Sequence, residues 1–281
     1  MTGDTYFEIV AFVFGTVIGS FLNVCIGRWP AELSVVRPRS RCPNCGHQLA
    51  WFENIPLVSW IVLRARCRCC DEPISVQYPL VELAVGILWA LCVASLGPTL
   101  TALRVAVTAT TLLGVAITDA KHYLIPDGFT LFGLGFTLVM AVYASVTANP
   151  GPFAGAYDAF IGACAGAGMI AIVGWLGELV FKKEAMGMGD MTLMAFVGAA
   201  VGPERAILTV FVGSAIGAVA FLLVVYPVAW LTRGRRAVQA ELALGTPAFE
   251  PPLVPFGVFL APAAVVTLLW GNALFARILG G

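Results

Sequence analysis

Residues 101–121 read TALRVAVTATTLLGVAITDAK, an apolar run broken by one arginine and closed by Asp119 and Lys121. A bilayer's hydrocarbon core is crossed by about 20 consecutive, mostly apolar residues in a helix, so 101–118 reads as a membrane span with a carboxylate at its end. Further runs of this kind lie at 7–27, 80–97, 128–147, 155–181, 188–202, 206–231 and 254–276. The run at 188–202 is the weakest, being short and glycine-rich. Composition agrees: the 281 residues are 59% hydrophobic and 11% charged, against about 25% charged in a soluble domain. The expected fold class is therefore an all-α membrane protein of about eight transmembrane helices. Net charge is zero, without the basic excess that a nucleic-acid partner requires. The first run follows Asp4 and Glu8 instead of a basic segment and has no small-residue cleavage site, so it reads as a retained span.

The polar connections orient these spans. Arg28, Arg37, Arg39, Arg41, Arg64, Arg66, Arg68, Lys121, Lys182, Lys183, Arg233, Arg235 and Arg236 fall on one side, and Arg104, Arg205 and Arg277 on the other. Basic residues concentrate in cytoplasmic loops, which predicts a cytoplasmic loop 28–79 and both termini outside. The layout is then a first span (1–27), a cytoplasmic module (28–79) and a seven-helix membrane part (80–281). A second polar loop near 233–252, with Thr246-Pro247 and Pro251-Pro252, reads as irregular. In the span 155–181, Gly162, Ala163, Ala165, Gly166 and Gly168 allow close helix packing in lipid.

The module contains Cys42-Pro43-Asn44-Cys45 and Cys67-Arg68-Cys69-Cys70. Two pairs with this spacing can set four thiolates tetrahedrally around Zn²⁺, and a module of this size gains from a metal staple. Cys42, Cys45, Cys67 and Cys70 are the expected ligands, with Cys69 or His47 as substitutes. A disulfide framework conflicts with a cytoplasmic location. Four thiolates leave no open position for water, so the metal is expected to be structural.

Ionisable residues at the edge of a span are functional candidates. Asp119 closes one span and Asp190 opens another, in Met186-Gly187-Met188-Gly189-Asp190, and the orientation above brings both to the cytoplasmic face. Two close carboxyls share a proton: one activates water against a peptide carbonyl, and the other donates to the developing oxyanion. Gly187 and Gly189 leave room beside Asp190 for a substrate backbone. Each aspartate also has an ordinary reading, Asp119 as an interfacial partner of Lys121 and Asp190 as a helix N-cap. Asp127 reads as a cap for the span at 128–147. Glu178 and Glu184 stand near enough to tune the local field.

These motifs resemble the bifunctional type IV prepilin peptidases, the leader peptidase/N-methyltransferases of the GxGD aspartic protease class. The resemblance rests on Gly19-Ser20-Phe21-Leu22-Asn23-Val24 with Arg28 and Pro30, and on Asn54-Ile55-Pro56-Leu57-Val58-Ser59-Trp60. It extends through Tyr78-Pro79-Leu80-Val81-Glu82, Asp119 with Ile125-Pro126-Asp127, Lys183 through Asp190, and Pro255-Phe256-Gly257. It implies that Asp119 and Asp190 are catalytic and that the four cysteines bind zinc. It further implies prepilin or pseudopilin substrates of pili and secretion systems, cut after a glycine at the cytoplasmic face of a bacterial inner membrane. The new N-terminal amine would be methylated from S-adenosylmethionine. Two departures are Thr192, where the family commonly has lysine, and Gln77, where it usually has arginine.

Three rival readings fit the sequence less well. A proton-coupled transporter explains the acids but not the thiolates. A membrane methyltransferase without protease activity leaves the aspartates structural, and no glycine-rich fingerprint locates its methyl donor. A zinc protease lacks an H-E-x-x-H segment.

Overall fold

The computed structural model describes residues 3–147, 151–182, 186–227 and 255–278. The elements in chain order are α1 (Gly3–Arg28), the short α2 (Val58–Val62), α3 (Gln77–Leu96), α4 (Leu100–His122) and α5 (Asp127–Val146). They continue with α6 (Ala156–Phe181), α7 (Met188–Val201), α8 (Pro203–Ala220, prolonged by a π-helical turn Phe221–Val225) and α9 (Gly257–Ile278). Among the described residues, seven helices are long and apolar enough to cross a membrane: α1, α3, α4, α5, α6, α8 with its extension, and α9. The expected loop at 233–252 and the segment Lys183-Glu184-Ala185 lie outside the described residues.

The eighth helix, α7, has 14 residues and so a length of about 21 Å, less than the hydrocarbon thickness. Its shortness goes with burial. Leu193, Met194, Phe196 and Val197 are essentially inaccessible, because α7 is packed against both α5 and α6. Small residues make the α6 contact possible. A Cβ on Gly162 or Gly198 would run into the other residue's backbone carbonyl, and one on Gly166 would strike the carbonyl of Met194. Backbones this close exchange many dispersion contacts, which drive helix association where lipid removes the hydrophobic term.

α1 and α3 run antiparallel and pack by the same device: Gly15 meets Val85 and Trp89, Gly19 meets Glu82, and Gly86 meets Thr16. α4 is the central span, with 61% of its apolar window buried against 17–39% for the other six. It touches α1, α3, α5 and α9. Buried Thr110, Thr111 and Thr118 each donate to the carbonyl four residues earlier, so their hydroxyls are satisfied within the helix.

Between α1 and α3 the chain forms a compact module without strands. It consists of 3₁₀ turns at Trp29–Ala31 and Trp51–Asn54, the helix α2 and two cysteine turns. Its entry is pinned to the membrane part, since Trp29 stacks edge-on against Phe129 at 4.4 Å between ring centroids and lies against Gly128. Its exit is pinned by a hydrogen bond from Lys121, at the end of α4, to Gln77.

The glycine seams predict opposite outcomes for two equivalent substitutions. Gly198→Ala overpacks α6 against α7 and lowers stability by about 1–3 kcal/mol. Gly168→Ala, where a Cβ meets nothing, leaves stability unchanged or slightly raised. Thermal unfolding of the two variants in detergent checks the contrast.

Candidate active site and metal centre

α4 ends just beyond Asp119. Tyr123 takes a left-handed conformation (φ 53°) and its N–H caps the Asp119 carbonyl, while Lys121 and His122 in the last turn complement the helix dipole. The Asp119 side chain turns inward and is 4% exposed. The N-terminus of α9 meets it there: Val258 N–H donates to Asp119 Oδ2 at 3.2 Å, and Gly257 N–H also donates to this carboxyl. A Cβ at Gly257 would stand 2.8 Å from Oδ2, so only glycine lets the backbone come this close. Two amides from a helix N-terminus form a natural cradle for a carboxylate. Asp119 therefore has no need of Lys121, which engages Gln77.

Asp190 lies in the first turn of α7, whose N-cap is Gly187. It is thus not the N-cap itself, and its half-buried carboxyl reaches back to the Gly187 N–H, as the acidic member of a capping box does. Asp119 and Asp190 lie close enough to interact electrostatically. Ile125 lies between the two glycines that flank this region: it is packed against Gly189, where a Cβ would come within 2.9 Å, and against Gly257, where one would come within 3.0 Å. The missing side chain of Gly189 thus accommodates Ile125, whereas around Gly187 a Cβ would meet only Asp190 Oδ2, at 3.7 Å, and the Gly189 N, at 4.0 Å. Asp127 is not the α5 N-cap, as its sequence position suggested. Pro126 occupies that place and Asp127 is the first helical residue, where its charge still suits the dipole. Thr192 donates back to the Gly189 carbonyl at 3.0 Å.

The two cysteine turns repeat one backbone design. Cys42 N–H donates to the His47 carbonyl and Cys67 N–H to that of Glu72, at 2.9 and 2.8 Å. Gly46 and Asp71 occupy matching positions with φ of 71° and 56°, and each returns its N–H to the first cysteine's carbonyl at 3.0 Å. The four Sγ atoms of Cys42, Cys45, Cys67 and Cys70 all lie within 4.8 Å of one another. Cys42–Cys70 are 3.8 Å apart and Cys45–Cys67 3.9 Å. Tetrahedral Zn–S bonds of about 2.3 Å require sulfur separations of about 3.8 Å, so the cluster is compatible with structural zinc. The thiols of the cluster are shifted in opposite directions: backbone N–H groups of Cys45 and Asn44 draw Cys42 down to about 7, whereas burial and neighbouring thiols push Cys45 and Cys70 up. The repeat selects Cys70 over Cys69, which is exposed. His47 turns to Glu53, at 3.2 Å.

Glu53 joins the two turns. Although carried by an exposed module, its side chain is 4% exposed. It accepts from Ala50 N–H at 2.8 Å, meets His47 of the first turn, and faces Arg68 of the second at 3.8 Å. The Ala50 amide, aided by His47 and Arg68, holds its carboxyl below the usual carboxylate range. Sequence spacing offered no sign of the Gly257 and Val258 amides, because their contact with Asp119 depends on long-range packing; the Ala50 and His47 contacts of Glu53 are local, and its joining role shows only once Arg68 of the second turn faces it. Glu53→Ala should loosen the module and make the arginine-rich segment 28–79 several-fold more susceptible to limited tryptic cleavage, as followed by mass spectrometry.

Comparison with known proteins places residues 13–96 in the bacterial Peptidase A24 N-terminal domain and residues 106–222 in the type IV leader peptidase family. A prepilin leader peptidase/N-methyltransferase of Myxococcus xanthus is 40% identical over 97% of this chain and 77% of its own length. Proteins of the same description from Stutzerimonas stutzeri and Pseudomonas aeruginosa are 36% and 34% identical, over 97% and 95% of this chain and 94% and 92% of theirs. No solved structure matches.

Proposed function

This chain belongs to the type IV leader peptidase family, and on that premise we propose that Asp119 and Asp190 are its catalytic pair. The chain is a multi-pass membrane enzyme that removes prepilin leaders and N-methylates the product. The observation that supports the assignment of the pair is convergence: two carboxyls on separate helices, α4 and α7, come close enough to interact electrostatically.

In this reading the pair holds one proton between its two carboxyls. Val258 and Gly257 fix Asp119 by amide donation, so it keeps one orientation while the substrate arrives. The ionised carboxyl takes a proton from water as the oxygen attacks the scissile carbonyl. The protonated one donates to the developing oxyanion, then protonates the departing amine. Gly187 leaves open space next to Asp190 for the extended substrate backbone. The site faces the cytoplasmic side of the inner membrane, with both termini outside, a reading supported by the arginine-rich module and the positive-inside rule. The bond cut follows a glycine where a basic leader meets an apolar helix.

Residues 28–79 act as the cytoplasmic module, held by zinc on Cys42, Cys45, Cys67 and Cys70, and the chain from residue 80 onward carries proteolysis. Zinc there is structural, since four thiolates fill its coordination. S-adenosylmethionine supplies the methyl group.

Asp119→Asn and Asp190→Asn should each slow cleavage of a purified prepilin by at least about a hundredfold, read by mass spectrometry of the product. Near-normal cleavage by either variant removes the dyad from the mechanism. For the metal, Cys70→Ser should abolish stoichiometric zinc measured on the purified protein, while Cys69→Ser retains it. Loss in both, or in neither, contradicts the assigned ligand set.

A further inference from the structure

A third buried carboxylate lies outside the aspartate pair. Glu82, in the second turn of α3, is 7% exposed, although an apolar helix–helix seam is a costly place for such a group. Gly19 of α1 lets it in, since a Cβ there would stand 2.7 Å from the Glu82 Cα. Its Oε2 accepts the Leu57 N–H at 2.8 Å, and the Ser20 hydroxyl donates to the same carboxyl. Leu57 itself is held at φ 61°, so the carboxylate also fixes a strained loop of the module. A carboxylate offers about four acceptor positions, and these two donors leave part of that capacity unused.

One turn away on the same α1–α3 seam, Asn23 is 6% exposed. Its Nδ2 donates to the Tyr78 carbonyl at 3.1 Å, but its Oδ1 is buried with no partner. Leaving a buried acceptor unsatisfied costs about 1–3 kcal/mol, which marks this oxygen as waiting for a donor. The seam thus presents a negative charge and spare acceptors to a visitor. A primary ammonium, with one positive charge and three N–H donors, is the complement.

We propose that Glu82, Ser20 and Asn23 bind the N-terminal amine of the cleaved substrate, placing it for methyl transfer. The proposal rests on the N-methylating activity given above. The location suits a product that stays in the membrane. Lys121 and Gln77 tie α4 to α3; Asp119 is two residues inward from Lys121, about 3 Å of helix, and Glu82 five residues inward from Gln77, about 7.5 Å. Both carboxylates therefore sit within a few ångströms of the same depth. Before transfer, the Glu82 carboxylate takes one proton from the bound ammonium and passes it to water. The freed amine lone pair then forms the N–CH₃ bond as the S–CH₃ bond breaks, its electrons passing to sulfur, and the product carries the positive charge as a methylammonium.

The test is binding of an already processed, unmethylated pilin to the full-length protein in detergent without methyl donor, comparing a free with an acetylated N-terminus. Wild type should favour the free amine by at least tenfold. Glu82→Gln, which keeps an oxygen for the Leu57 N–H but loses the charge, should abolish that preference, and Asn23→Leu should weaken it. In methyl transfer, both variants should raise KM for the pilin and leave KM for S-adenosylmethionine unchanged. Equal wild-type binding of the two pilins, as when the seam holds a lipid ammonium instead, overturns the proposal. So does a preference that survives Glu82→Gln. A wild-type protein that methylates nothing would instead speak against the activity itself.

Discussion

A carboxyl group buried at the end of an apolar bundle is tolerated only where fixed donors replace its water, and this constraint organises the membrane part around Asp119. The replacement comes from the N-terminus of α9, whose Gly257 and Val258 amides reach the carboxyl. That contact demands glycine at 257, a left-handed cap at Tyr123 to end α4 on time, and close seating of α9 on α4. α7 must then stop short so that Asp190 arrives beside Asp119 instead of in lipid. Its 14 residues, sealed between α5 and α6 by glycine seams, meet that requirement.

The cysteine module answers a different problem. A segment this small buries little of its apolar surface, leaving Trp51, Ile61 and Val62 exposed, so its shape rests on two repeated turns and on the buried carboxylate of Glu53 between them. A metal on the four thiols would lock the turns together, and Glu53 would keep the two halves in register. The module is tethered at both ends, through Trp29 against α5 and Gln77 against α4.

Much of this was legible in the sequence because it depends on local pattern. Apolar runs of span length reveal themselves by composition, and C-x-x-C turns by spacing. Charge asymmetry between loops supports the proposed orientation without any contact being known. The shortness of the run at 188–202 read as weakness, whereas it reflects an inner helix that barely meets lipid. What stayed hidden depends on residues far apart in the chain. Val258 is 139 positions from Asp119, and Pro255-Phe256-Gly257 carried a resemblance but no chemistry until α9 was seen against α4. Asp190 was ambiguous for a related reason: it sits in the first turn of α7 without being the N-cap, and its approach to Asp119 depends on packing that spacing does not show.

Glu82 sharpens that point, because its position was readable and its meaning was not. A glutamate just inside an apolar run breaks the rule that spans avoid charge, yet only the antiparallel fit of α1 on α3 shows that Ser20 and Leu57 reach it and that Asn23 lies one turn along the same seam. Proteolysis creates a new amine at the membrane surface, and a cation leaving a carboxylate pair is best received by another carboxylate at the same depth. On the proposed assignments, the pair on α4 and α7 and Glu82 on the α1–α3 seam lie at a similar depth, with α4 touching both α1 and α3. The substrate helix then has only to shift laterally, with its apolar body still in lipid, for the amine to pass from one site to the next.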